Sequence, residues 1–200
     1  QTEPQVLIQS RDTGQTHLMY GFRTFDIHSP ERYTSALVAV ILGGYMSSRL
    51  FSEIREKRGL AYYVKALSGE YQDAGYLAVR AGIRNEKVTE AIKLITKELA
   101  EIKQYGISDR ELAIAKENTK AKLVMGFESS DEVAQAIAIA ELMMGEELDI
   151  DQEIQKIDAV TKSDITQFMQ TYCVKEQLNL ALIGNFKQSE EQIFKDLMNL

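Results

Sequence analysis

An α+β fold, with a mostly antiparallel sheet and helices packed on one face, is predicted by three features of the sequence. Strand-like segments open the chain and return as a hairpin between residues 62 and 81. A run of amphipathic helical segments fills the middle, and one late strand precedes a last helix. Blocks of strands and helices in that order favour an α+β layer arrangement over alternating βαβ units.

The first two strands are Val6-Leu7-Ile8 and His17 to Phe22, separated by the turn-forming Asp12-Thr13-Gly14. Ser29-Pro30-Glu31 reads as a helix start, with serine at the N-cap and proline at the first helical position, where its missing N–H costs nothing. The segment through Leu42 is apolar on nearly every side, so this helix should be deeply buried, and Gly43-Gly44 stops it. Ser47 or Ser48 then caps a short helix that turns Leu50, Phe51 and Ile54 inward and ends near Gly59. Alternation in Tyr62 to Leu67 and Tyr76 to Ala81, with the turn Gln72-Asp73-Ala74-Gly75 between them, predicts a β-hairpin.

In the next helix Val88, Ile92, Ile95, Leu99 and Ile102 recur at steps of four and three, which aligns them on one face, and Gly106 ends it. Ser108-Asp109-Arg110-Glu111 is a capping box that opens another helix. Ser129 begins a third, through Met144. Its Val133 to Ala140 stretch and the Met143-Met144 pair fit either a partner groove or a core helix, and the spacing favours burial. Asp149 to Val160 and Lys162 to Tyr172 read as shorter helices, Leu178 to Ile183 as a strand, and Ser189-Glu190-Glu191-Gln192 as the cap of a terminal helix. With no repeat or Pro/Gly-rich linker, residues 1–200 are expected to form a single domain, in which 128–131 is only a bend.

A net charge of −7 argues against nucleic acid or anionic lipid as the main partner, because phosphate binding needs clustered Lys and Arg. The longest apolar run, Ala36 to Leu42, is too short to span a bilayer. A soluble, cytoplasmic protein is therefore expected. The chain opens on Gln1 rather than Met, which suggests a segment removed upstream. The lone Cys173 reads as a small buried hydrophobe. The acidic run Glu146, Glu147, Asp149 and Asp151 lacks the ordered spacing and central glycine of a calcium loop and reads as solvated.

The stretch Leu42-Gly43-Gly44-Tyr45-Met46-Ser47-Ser48-Arg49-Leu50, continued by Ile54-Arg55-Glu56-Lys57-Arg58-Gly59-Leu60-Ala61-Tyr62, resembles the segment that opens the C-terminal half of pitrilysin/insulinase-type zinc metallopeptidases. Asp12 to His17 resembles that family's entry strand. Ile157 to Ile165 and Leu180 to Gly184 resemble its closing elements, so the likeness runs through almost the whole chain in order. It implies one half of a peptidase clamshell. In such enzymes the N-terminal half holds zinc through an inverted H-x-x-E-H motif and a distal glutamate, and metal-assisted hydrolysis follows. This chain has two histidines, His17 and His28. The near miss His28-Ser29-Pro30-Glu31-Arg32 ends in arginine, so no zinc is expected to bind here, only on a homologous partner half.

The resemblance assigns Arg55 and Tyr62, seven positions apart, to the substrate carbonyl and the oxyanion opposite the metal. A guanidinium and a phenol suit that task as fixed donors aimed at developing negative charge. Taken alone, Arg55 would more commonly pair with Glu56 or a nearby acid on a helix surface, and Tyr62 would be a half-buried strand aromatic. Arg58 falls off the spacing, and strict alternation would send Tyr63 to the opposite sheet face from Tyr62. Tyr45 stands where relatives carry a third glycine, and Tyr63 replaces a smaller residue. The expected function is that of a zinc-free half of a metalloendopeptidase, inactive alone, that packs against a homologous zinc-bearing domain or subunit and encloses an unfolded peptide. The alternatives are a non-catalytic scaffold and a peptide-binding module of the same fold.

Overall fold

The computed structural model describes residues 1–198 and contains one five-stranded sheet in the order β1-β5-β2-β4-β3. These are β1 Gln5–Ser10, β2 Thr16–Thr24, β3 Ala61–Glu70, β4 Gly75–Ile83 and β5 Leu178–Gly184. In this sheet the edge pair β1–β5 is parallel, while β5–β2, β2–β4 and β4–β3 are antiparallel. The hairpin and both opening strands lie where the alternation places them.

Period-two patterning decides which face is covered. In β2 the residues Thr16, Leu18, Tyr20 and Phe22 are buried, while His17, Met19, Gly21 and Arg23 stand on the other side. The covering layer contains α1 Arg32–Gly43, α2 Val88–Tyr105, α6 Lys162–Tyr172 and α7 Glu191–Leu197, which pack on β3 and β4, on β4, on β2 and on β1 respectively. The stripe Val88, Ile92, Ile95, Leu99 and Ile102 is wholly buried. Tyr20 and Thr96 share a 3.0 Å hydrogen bond inside this layer, and burial raises the Tyr20 phenol well above its ordinary range. Cys173 is buried, which pushes its thiol up to about 12 and makes it the inert small hydrophobe the sequence suggests. Among the described residues no helix packs on the sheet's other face.

Gly43 brings α1 onto the sheet. A Cβ built there would lie 2.3 Å from the backbone nitrogen of Ala66 in β3, a distance no side chain tolerates. α2 ends at Gly106, whose φ of 73° suits a residue without Cβ. The capping box at the start of α3 Asp109–Gly126 is complete, with Ser108 and Glu111 bonding each other's backbone N–H. A second box, Thr161 with Asp164, opens α6. Asp149 caps α5 Ile150–Ala159 by accepting from the N–H of Asp151 and Gln152, so one member of the acidic run has a structural role.

Four local expectations need correction. α1 begins at Arg32, because Ser29 and Pro30 form an entry turn in which the Ser29 hydroxyl accepts from Glu31 N–H and its carbonyl from Arg32 N–H. The short helix after Ser48 is a π-helix over Phe51–Glu56, with Lys57 N–H reaching back five residues to Ser52; the Ser48 hydroxyl donates to the Tyr45 carbonyl instead of capping. Ser189 lies inside a short 3₁₀ turn ahead of α7, and the side chain of Glu190 accepts from Lys187 N–H there. The largest departure is α4 Ser130–Met144, in which only Ala140 is buried, while Ile137, Ile139 and Leu142 are exposed. Its apolar positions wrap around the helix and no sheet lies beneath it, so apolar spacing alone could not produce burial.

Gly43→Ala should lower stability by about 1–3 kcal/mol, the usual cost of overpacking, because the obstruction is backbone. Gly14→Ala, where a Cβ meets nothing within 4 Å, should stay within about 0.5 kcal/mol. Urea denaturation of the two variants beside the parent measures the contrast.

Candidate functional site

The segment from Gly44 to Tyr62 leaves the end of α1, makes the π-helical turn and returns into β3. Glu111 fixes its base. One carboxylate oxygen accepts from Arg49 Nε at 2.6 Å and the other from the N–H and hydroxyl of Ser108, both at 2.8 Å. Partial burial acts against the charge on Glu111, but these hydrogen bonds outweigh it and hold the carboxyl below its ordinary range. Glu98, 6% exposed, lies near the same arginine; burial, reinforced by Glu101, raises its pKa, with Arg49 opposing. Leu50 and Ile54 point inward and anchor the turn in the core.

Arg55 projects to solvent from the π-helix, its guanidinium carbon 4.9 Å from the centroid of the Phe51 ring. Among the described residues it has no carboxylate partner. Glu56, the acid expected to take it, makes no ion pair with it, and the nearby Glu53 is occupied by Lys57 and Arg58. Arg58 thus makes a surface pairing of the ordinary kind, while Arg55 makes none among the described residues. The i, i+4 spacing of Phe51 and Arg55 is the one sequence signal that would have found this aromatic platform.

Gly59, at φ 57°, reverses the chain. Its N–H donates to the Arg55 carbonyl at 3.1 Å, and Leu60 N–H donates to the Ile54 carbonyl at 2.9 Å. Tyr62 comes next but one, 60% exposed, in place of the half-buried aromatic expected of an ordinary strand position. The ladder explains this: Ala61 pairs with Ile83 and Tyr63 with Gly82, so Tyr62 is the extra residue of a β-bulge. Ala61 and Val64 are both buried, and Tyr62 and Tyr63 both lie off the core side. Strict alternation between the two tyrosines therefore fails. Tyr63 leans over Gly82, its hydroxyl 3.0 Å from Nδ1 of His17, with Arg80 over its ring. Gly82 is needed there, since its Cβ would meet the Tyr63 ring at 2.5 Å.

The residues present do not fit zinc. Among the described residues no three His, Cys, Asp or Glu side chains gather as a metal set. His17 is engaged by Tyr63 on the sheet, and His28 precedes α1 in an irregular turn, where its backbone N–H bonds Asp26. No helix among the described residues is long and apolar enough to cross a membrane.

Residues 1–119 match a family model described as the peptidase M16 inactive domain. An uncharacterized zinc protease of Streptomyces coelicolor is 30% identical over 96% of this chain and 42% of its own length. Another, of Bacillus subtilis, is 32% identical over 78% and 38%. The chain thus spans about two-fifths of these relatives. The fold recurs in a Helicobacter pylori protease, with TM-score 0.82 and 21% identity over 92% of this chain and 45% of that one. It recurs too in a chain of complex III2 from Candida albicans, with TM-score 0.84 and 18% identity over 100% and 50%.

Glu111→Gln should cost about 1.5–3 kcal/mol at pH 7, the scale of a charge-assisted hydrogen bond. Because folding lowers the Glu111 pKa, the stabilisation is complete above the unfolded value of about 4.3 and is lost as pH falls through the folded one. Denaturation curves of parent and variant should therefore differ at pH 7 and converge in acid.

Proposed function

The chain belongs to the M16 family of zinc proteases, as its inactive domain, and from that premise we propose that residues 1–200 act as one half of a metalloendopeptidase clamshell. A homologous zinc-bearing half, on the same polypeptide or another, completes it. The pair encloses an unfolded peptide, and this half contributes Arg55 and Tyr62.

The observation that carries the reading is the state of those two side chains. Arg55 is exposed, supported by Phe51 and unpaired with any described carboxylate, and the Gly59 turn leads directly from it to a bulge that lifts Tyr62 out of the sheet. Arg49, Arg58 and Lys120, by contrast, each pair with an acid. A free guanidinium and a free phenol on adjoining elements are donors held ready for an anionic oxygen. In peptide hydrolysis that oxygen is the former carbonyl of the tetrahedral intermediate, and donors preset toward it stabilise the transition state more than the ground state. Zinc on the other half would polarise the same carbonyl and its attacking water. Arg55 and Tyr62 neither bind metal nor move a proton; they donate hydrogen bonds. The exposed side chains of α4, Ile137, Ile139 and Leu142, suit the role of surface against the homologous half.

The test mixes this chain with the purified zinc-bearing half and follows an internally quenched peptide. Neither component alone should cleave, and the mixture should. Arg55→Ala and Tyr62→Phe should each lower kcat by about 10²-fold with KM little changed, the scale of one lost oxyanion donor. Unaltered kcat in both variants removes the assigned role. A stable but inert complex would instead favour the scaffold reading. Leu142→Glu should weaken assembly about tenfold by analytical ultracentrifugation, with the fold intact by circular dichroism.

A further inference from the structure

The uncovered face of the sheet has a charge pattern that its surroundings do not explain. By register it carries His17, Met19, Gly21 and Arg23 from β2, flanked by Lys65 on β3 and Arg80 on β4. No strand residue on this face is an Asp or Glu, although the chain holds 30 acids against 23 Lys and Arg. Lys65 and Arg80 are direct cross-strand partners. Like charges so placed repel and destabilise a ladder unless something of opposite sign lies between them. Among the described residues none of Arg23, Lys65 and Arg80 has an ion-pair partner.

Beside these cations the face is apolar and indented. Gly21 and Ala78 are adjacent in register and too small to fill the surface, which leaves a shallow groove of ≈ 460 Å³ bordered by Leu7, Met19, Tyr76 and Ala181. Leu7 is 69% exposed on its rim. Arg23 stands near one end of the β2–β4 ladder, and Arg80 lies mid-ladder opposite Met19, on the side of the bulge that displays Tyr62.

We propose that this face is the wall against which the enclosed peptide lies, and that it selects extended segments in which carboxylate side chains alternate with apolar ones. The inference rests on the peptidase reading for the presence of a peptide, and adds the class of peptide. An extended strand presents alternate side chains to one side. Apolar ones would enter the Gly21–Ala78 groove and carboxylates would come between Lys65 and Arg80, relieving their repulsion. The occupant is set by charge complementarity: a basic peptide would add to the repulsion, and a purely apolar one would leave three cations unmet. The field of a face carrying charge of one sign also concentrates ligands of the opposite sign.

Fluorescence anisotropy with the assembled two-half complex, stripped of zinc by chelation, tests this apart from catalysis. Three labelled peptides of one length are compared, with Val alternating with Glu, Gln or Lys. The Glu peptide should bind roughly three- to tenfold more tightly than the Gln peptide at low salt, with the gap narrowing as salt rises, and the Lys peptide should bind weakest. In the Lys65→Glu/Arg80→Glu double variant the order should reverse. Equal affinities for the three peptides, or a preference that survives the reversal, overturn the inference even if the complex cleaves peptides. A double variant that folds but no longer assembles also overturns it, since the face would then belong to the interface between halves. Charge-selective binding by a complex that never cleaves would sustain the inference while the catalytic reading fails.

Discussion

Contact between α1 and β3 at Gly43 sets the path of the chain from the helix to the exposed arginine and tyrosine. With backbone against backbone, the helix ends at the surface of the sheet and the chain has only residues 44–60 in which to turn round and enter β3. That short excursion is held at three points: Leu50 and Ile54 in the core, Arg49 on Glu111, and Gly59 at a positive φ. Between these anchors Arg55 faces outward, and Tyr62 does so just beyond the last of them. Both therefore take their exposure from the packing of other residues around them.

The core face was legible because burial there has a period. Apolar residues at steps of two in β2 and of three and four in α2 point where geometry sends them, and the capping boxes at Ser108 and Thr161 are local enough to read from four residues. Features that escaped the sequence depend on partners distant along the chain. The bulge at Tyr62 exists only in relation to Gly82 and Ile83, and a strand read alone carries no mark of a mismatch across the ladder. The π-helix at Phe51–Glu56 is a choice of hydrogen-bond partner, five residues back instead of four, which side-chain types hardly specify. α4 misled for the opposite reason. Its composition is that of a buried helix, and composition does not say whether the burying surface belongs to the same domain.

The candidate site divides in the same way. Its two residues came from a motif resemblance, since an arginine seven positions before a tyrosine has no meaning in propensity or periodicity. The structure adds how each is presented: Arg55 stands over the Phe51 ring with no described carboxylate partner, and an extra residue lifts Tyr62 from the ladder. The neighbouring group of His17, Tyr63 and Arg80 was invisible because its members come from three strands, brought to adjacent rows only by the sheet order. Charge on the open face was hidden similarly, since an overall acidic chain gives no hint that one surface holds only cations.

α4 has a further consequence, in terms of local stability. A helix with one buried residue is tied to the domain mainly at its C-terminal end, where Met144 meets Arg32, and an isolated helix of fifteen residues is marginal in water. Its amides therefore open by fraying, far below the free energy needed to unfold the sheet and its covering layer. Away from that end, the exposed apolar face of this segment lacks a burying surface in the chain. Docking of another surface on Ile137, Ile139 and Leu142 would convert it into part of the cooperative unit, so that the extent of the folded domain itself depends on whether its complement is present.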